Sequence, residues 1–124
     1  MKTKFSSSWK SSLHPRKQRK YRANSPLHIR ASFVSAHLSK DLRLKLKRRS
    51  LPLRENDTVK VIRGQFKGKT GKIRVVMRNR EKIIVEGVEQ SKRDGSKTPV
   101  PVHASNILLI DLVADKKRIK REKK

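Results

Sequence analysis

Between Thr58 and Val113, apolar and polar residues alternate in short runs, the two-residue period of half-buried strands. Thr58-Val-Lys-Val-Ile-Arg63 places Val59 and Val61 on one face. Gly71-Lys-Ile-Arg-Val-Val-Met77 repeats the pattern and predicts Ile73 and Val75 inward. Lys82-Ile-Ile-Val-Glu86 is a third strand, after a turn at Asn79-Arg80. Val88 to Lys92 leads into Asp94-Gly95, a hairpin signal. The prolines of Thr98-Pro-Val-Pro-Val102 confine that segment to an edge, or place it outside the ladder. Ile107-Leu-Leu-Ile-Asp-Leu-Val113 is the last and most apolar strand. Short strands at this density predict a mainly β fold, a small barrel over residues 55–113.

Upstream the pattern changes. His14-Pro15 followed by Arg-Lys-Gln-Arg-Lys-Tyr-Arg predicts a short helix with proline in its first turn. Ser25-Pro26 offers a second start, with Ser25 as N-cap. Residues 39–49 fit two templates. Leu42, Leu44 and Leu46 alternate with cations like a strand, whereas Leu38, Leu42 and Leu46 form one helical stripe. Ser39 as N-cap, Asp41 at the positive helix end and the propensity of Leu, Lys and Arg favour the helix. Residues 1–13 show no period and are expected to be disordered. The segment 114–124 reads as a solvated charge run, or as a helix ordered by a partner.

Charge sharpens this division. Lys and Arg number 35 against 10 acids, a formal net charge of +25 in 124 residues. Residues 1–54 hold 16 basic residues and one acid; 55–113 hold 12 and seven; 114–124 hold seven and two. A basic arm (14–54) and a basic tail (114–124) therefore flank a middle of more ordinary composition. Self-repulsion on this scale opposes compaction unless a polyanion offsets it. Nucleic acid supplies such dense negative charge. A membrane surface is the second candidate, but it calls for a basic amphipathic helix or a lipidation signal. Neither stands out, and no apolar run approaches the ~18 residues of a membrane span.

The absence of cysteine excludes disulfides and thiolate-bound zinc. His14, His28, His37 and His103 lack metal-ligand spacing, so no metal and no cofactor is expected. The acid-free, Ser- and Arg-rich stretch before Asp41 also matches the composition of a mitochondrial transit peptide. Catalysis is not expected, since no nucleophile–base grouping or carboxylate pair is supported by spacing.

Three of the five glycines fall within Ile62-Arg-Gly-Gln-Phe-Lys-Gly-Lys-Thr-Gly-Lys-Ile73. Gly64, Gly68 and Gly71 suit a tight loop between two strands, where φ > 0 and close backbone approach are needed. Lys67, Lys69 and Lys72 can then meet phosphates as point charges, beside exposed amides. Phe66 is either a plug beneath the loop or a platform for a base. The loop misses nucleotide P-loop spacing by one residue.

The run Gly64-x-x-Lys67-Gly68-x-x-Gly71-x-Ile73 resembles the KOW motif of ribosomal proteins and of transcription elongation factors. With Pro26-Leu-His-Ile-Arg30, Leu38-Ser-Lys-Asp-Leu-Arg43, Arg49-Ser-Leu-Pro-Leu-Arg54 and Val102-His-Ala-Ser-Asn-Ile107, it is similar to the universal large-subunit ribosomal protein twenty-four family in its eukaryotic and archaeal form. Asn56-Asp57 stands where that family usually has Gly-Asp, and His103-Ala104 where His-Pro is common. The resemblance implies an SH3-like barrel that binds large-subunit rRNA near the peptide exit tunnel, supports assembly and borders other ribosomal proteins. It implies a cytoplasmic subunit, with a nuclear or nucleolar stage in a eukaryote. No small-molecule substrate, direct membrane binding or homo-oligomer is expected. The alternative is a KOW interaction module of an elongation factor or another RNA-binding protein.

For RNA contact the sequence nominates Arg16, Lys17, Arg19, Lys20, Arg22 and Arg30 in the arm. Lys47, Arg48 and Arg49 form a second cluster. Arg63, Lys67, Lys69 and Lys72 belong to the glycine loop, and Arg78 and Arg80 to the next turn. Arginine forks onto phosphate and stacks on bases, whereas lysine is a point charge. Trp9 and Tyr21, set among cations, are candidates for stacking on RNA, with packing an equal reading for Tyr21.

Overall fold

The computed structural model describes residues 4–119. Residues 1–3 and 120–124, the outer ends of the expected extension and tail, lie outside them. A 3-10 turn at Ser7–Ser11 is followed by α1 (Pro15–Asn24), α2 (Leu27–Phe33), β1 (Ser35–Leu38), α3 (Lys40–Leu46) and β2 (Ser50–Pro52). Then come β3 (Thr58–Val61), β4 (Thr70–Met77), β5 (Lys82–Val85), β6 (Glu89–Ser91), β7 (Lys97–Pro99), β8 (Val102–His103), β9 (Ile107–Asp111) and α4 (Lys116–Ile119).

Seven strands form one sheet in the order β2-β1-β9-β3-β4-β5-β8, and β6 and β7 form a separate hairpin. All pairings are antiparallel except β1 with β9. The fold is mainly β and barrel-like. Val59, Val61 and Ile73 are buried, as their alternation predicts, and Ile83, Val85, Ile107 and Leu109 are buried with them.

Two strands arise where none was expected. β1 aligns His37 with Leu108 and Leu38 with Leu109 of β9, and β2 lies against β1. Val34, Ala36, Leu38, Leu51 and Leu53 thereby enter the core. The sequence signal is weak because each strand is short, and β1 pairs with a strand at the far end of the chain. Leu38 consequently leaves the predicted helical stripe; Leu42 and Leu46 of α3 still pack on the core. The helix ends at Leu46, with Lys47 left-handed at φ 51°. Ser39 caps its start by accepting from the Leu42 amide.

Two local expectations are corrected, and one open alternative is decided. Val75 points outward, 40% exposed, and Val76 packs on the core instead. The register of β4 against β5 shifts between Ile73 and Val75, and one extra residue sends every following side chain to the other face. Ser25 does not cap α2. It ends α1, and its hydroxyl donates to the Tyr21 carbonyl at 2.5 Å. Finally, Tyr21 is buried between Phe5 and Phe33, with ring centroids at 5.1 and 6.1 Å, so packing is its role.

Candidate nucleic-acid interface

Between β3 and β4 the chain doubles back through Gly64 and Gly68, at φ 95° and 91°. L side chains avoid this backbone region, which explains two of the three glycines. Gly71 is different. Its φ is ordinary, but a Cβ there would strike the Glu86 carbonyl where β4 crosses the end of β5. The loop is tied by Gly68 N–H to the Val61 carbonyl at 2.8 Å and Lys67 N–H to the Gly64 carbonyl at 3.2 Å. Among the described residues, the amides of Gly64, Gln65 and Phe66 make no hydrogen bond.

Phe66 is half-buried and packs on the core. Lys69 lies over its ring, 5.0 Å from the centroid, and donates to the Gly87 carbonyl at 3.1 Å. Lys67, Lys72 and Arg63 are exposed, with no acidic partner among the described residues. The loop and the start of β4 thus offer two solvent-facing lysines, Lys67 and Lys72, and one, Lys69, already held against the protein.

The β4–β5 turn meets the arm. Arg78, Asn79, Glu81, Arg22, Arg30 and Phe33 share one cavity. Arg22 pairs with Glu81 at 3.4 Å and lies 6.0 Å over the Phe33 ring. Arg30 is spent internally. It donates to the carbonyls of Ser25 and Ala23 and to Asn79 Oδ1, joining α1 and α2 to the turn. Its place in the site is structural as much as electrostatic. Arg78 and Arg80 remain exposed.

Arg16, Lys17, Arg19 and Lys20 are exposed on α1. Lys47 and Arg49 are exposed beyond α3, while half-buried Arg48 reaches the Arg118 carbonyl at 3.4 Å. Beside this contact is a feature that sequence reasoning missed. A cleft of about 450 Å³ is lined by His28, Arg48, Arg54, Arg78, Lys117 and Arg118, with no carboxylate among its lining residues. It gathers α2, β2, β4 and α4, elements far apart in sequence, so no local motif could announce it.

Also missed was the anchor beneath that cleft. Arg118, expected within a solvated charge run or a helix ordered by a partner, is buried against fully buried Asp57. Its two terminal nitrogens lie 2.6 and 3.0 Å from the Asp57 oxygens. Asp57 also accepts from the Arg54 and Val113 amides, each at 3.0 Å. The Arg118 Nε alone has no partner. The substituted turn survives: Asn56 sits at φ 67°, a conformation asparagine tolerates. Ala104, in place of the usual proline, is buried in a short 3-10 turn whose start His103 caps.

Two acids are held below the ordinary carboxylate range. The hydroxyl and amide of Ser96 both donate to Asp94 in the β6–β7 turn. Burial pushes the other way at Asp115, but the Lys117 amide and the charges of Arg54 and Arg118 outweigh it. Among the described residues no helix is long and apolar enough to cross a membrane, and no His, Cys, Asp or Glu cluster could hold a metal.

A small barrel whose surface cations outnumber their carboxylate partners defines a class: a basic β protein shaped to lie against a polyanion. Residues 12–124 match the family of ribosomal proteins described as L26 in eukaryotes and as the twenty-fourth large-subunit protein in archaea. The chain is 46% identical over 113 residues to the large ribosomal subunit protein uL24 of Methanospirillum hungatei, covering 91% of this chain and 92% of that one. It is 42% identical over 107 residues to the large ribosomal subunit protein uL24 of Methanosphaera stadtmanae, covering 86% and 92%. The chain belongs to this ribosomal protein family, which is a structural kind rather than an enzymatic one.

Proposed function

We propose that this chain is a structural constituent of the large ribosomal subunit that binds and organises its rRNA, beside the peptide exit tunnel, and supports subunit assembly. One observation carries the reading. Among the described residues only Arg22, Arg54, Arg118 and His103 meet a carboxylate, so most of the 35 basic residues are left for an outside anion. Arg16, Lys17, Arg19 and Lys20 act from the arm, and Arg63, Lys67 and Lys72 from the glycine loop. Arg78 and Arg80 act from the turn, Arg48 from the wall of the acid-free cleft, and Lys47 and Arg49 from the segment on either side of Arg48. Binding releases counterions from RNA, so its strength falls steeply with salt. RNA shape and phosphate spacing supply most of the fit.

Partners are then large-subunit rRNA and neighbouring ribosomal proteins, with a nucleolar assembly stage in a eukaryotic cell. Sucrose-gradient sedimentation of a cell extract tests this. The protein is expected in large-subunit particles and in whole ribosomes, and to leave them only at high salt. Recovery at the top of the gradient, free of such particles, overturns the reading.

A further inference from the structure

Residues 4–11 lie outside the part of the chain that matches the family, yet they are folded onto α1 by a definite set of contacts. The Gln18 side chain donates to the Lys10 and Ser12 carbonyls at 2.8 and 2.7 Å. Asn24 donates to the Lys4 carbonyl at 3.3 Å. Phe5 packs against Tyr21. None of these contacts uses the Trp9 indole. The ring is 45% exposed, and it walls a cavity of about 320 Å³ together with Tyr21, Ser12, Lys4, Lys17 and Lys20.

Three properties of this cavity restrict its occupant. Its wall is aromatic, and its rim carries three lysines with no acid in the lining. Its volume is at the small end of ligand sites, which run from about 300 to 1,000 Å³, room for one ring system and not for a duplex. A ligand that is flat, apolar on its face and anionic at its edge is a nucleotide. In a duplex the face of a base is covered by its neighbours, so only an unpaired base can stack on a side chain.

We propose that the cavity between the N-terminal extension and α1 is a binding site for a single unpaired nucleotide of RNA, its base against Trp9 and its flanking phosphates near Lys4, Lys17 and Lys20. This rests on the RNA-binding reading above and adds a base-level contact to a surface otherwise addressed to phosphate.

The test compares two RNA hairpins of equal length and charge, one with a bulged purine and one with that purine paired. Trp9 is the only tryptophan, so its fluorescence in the full chain reports this cavity alone. The bulged hairpin is expected to quench it and to bind about tenfold more tightly, the scale of one base stacked on an aromatic ring. Trp9→Ala should abolish the preference, measured by anisotropy of labelled RNA, while leaving the paired hairpin's affinity unchanged. Trp9→Phe should retain most of it. Equal affinity of the natural chain for both hairpins, or a preference that survives Trp9→Ala, overturns the proposal. Quenching that occurs only in assembled subunits, and never with RNA alone, overturns it in favour of a protein neighbour. Failure of the ribosomal reading would look different: the natural chain itself would be missing from large-subunit fractions.

Discussion

Two regions of this molecule carry the same sign of charge and treat it in opposite ways. At the seam where α4 closes over the start of β3, a guanidinium is taken out of water and matched to a carboxylate. In the loop between β3 and β4 and at the start of β4, Lys67 and Lys72 stand in solvent with no acidic partner among the described residues. The first arrangement fixes the chain and leaves no charge to offer. The second leaves charge on offer and holds the backbone by glycine geometry and a few main-chain hydrogen bonds. In so basic a chain, a cation's sequence neighbours do not say which kind it is. Burial and the presence of one acid decide it.

Removing the acid gives the largest effect. Asp57→Ala leaves Arg118 buried without a counter-charge and strips two backbone amides of their acceptor. A stability loss of about 3–5 kcal/mol is expected, read by urea denaturation. The paired substitution Asp57→Asn with Arg118→Met should recover more than half of it, because no lone charge is then buried. The salt dependence of RNA binding, measured where the variant stays folded, should not change. A changed slope would mean that Arg118 serves the RNA after all, and the contrast between the two regions would collapse.

The two regions were not equally visible in the sequence. β3, β5 and β9 were legible because four or more residues in each follow the strand pattern. The glycine loop was legible because three glycines so close together have few uses. β1 and β2 were hidden because neither is long enough to show a period, and the parallel β1–β9 pairing spans much of the chain. Arg118 was hidden because its partner lies 61 residues away and most of its neighbours are charged. The acid-free cleft was hidden for the same reason: His28, Arg54 and Lys117 become a group only once the sheet has closed. The part Arg30 plays in joining α1 and α2 to the β4–β5 turn was hidden because its three internal acceptors could not be read from spacing.

A middle-sized effect separates the glycines of the loop. Gly71→Ala forces β4 away from the Glu86 carbonyl, an overpacking cost of about 1–3 kcal/mol. Gly64→Ala and Gly68→Ala meet open space but an unfavourable φ, costing roughly 1–2 kcal/mol. Asparagine distinguishes the two causes. It should restore part of the loss at Gly64 and Gly68, where only backbone conformation is at fault, and none at Gly71, where volume is. Urea denaturation of the alanine and asparagine variants checks this. Rescue by asparagine at Gly71 would remove the close approach as its reason for being glycine.

The smallest effect on stability belongs to the loop lysines, and that is what makes them diagnostic. Lys67→Gln and Lys72→Gln touch no buried contact, so stability should stay within about 0.5 kcal/mol. Their effect should appear in RNA binding. For each phosphate no longer neutralised, the slope of log affinity against log salt should fall by ~0.7–0.9. Lys69 is the internal control. Its ammonium already donates to the Gly87 carbonyl and lies over Phe66, so it has less charge to give an outside anion. Lys69→Gln should therefore change the slope less than either neighbour and lower stability more. Titration of an rRNA fragment at several salt concentrations gives the three slopes. If Lys69 contributes as much as Lys67 and Lys72, its internal contacts yield to RNA, and the line between cations that build the fold and cations that face outward runs through this loop instead of around it.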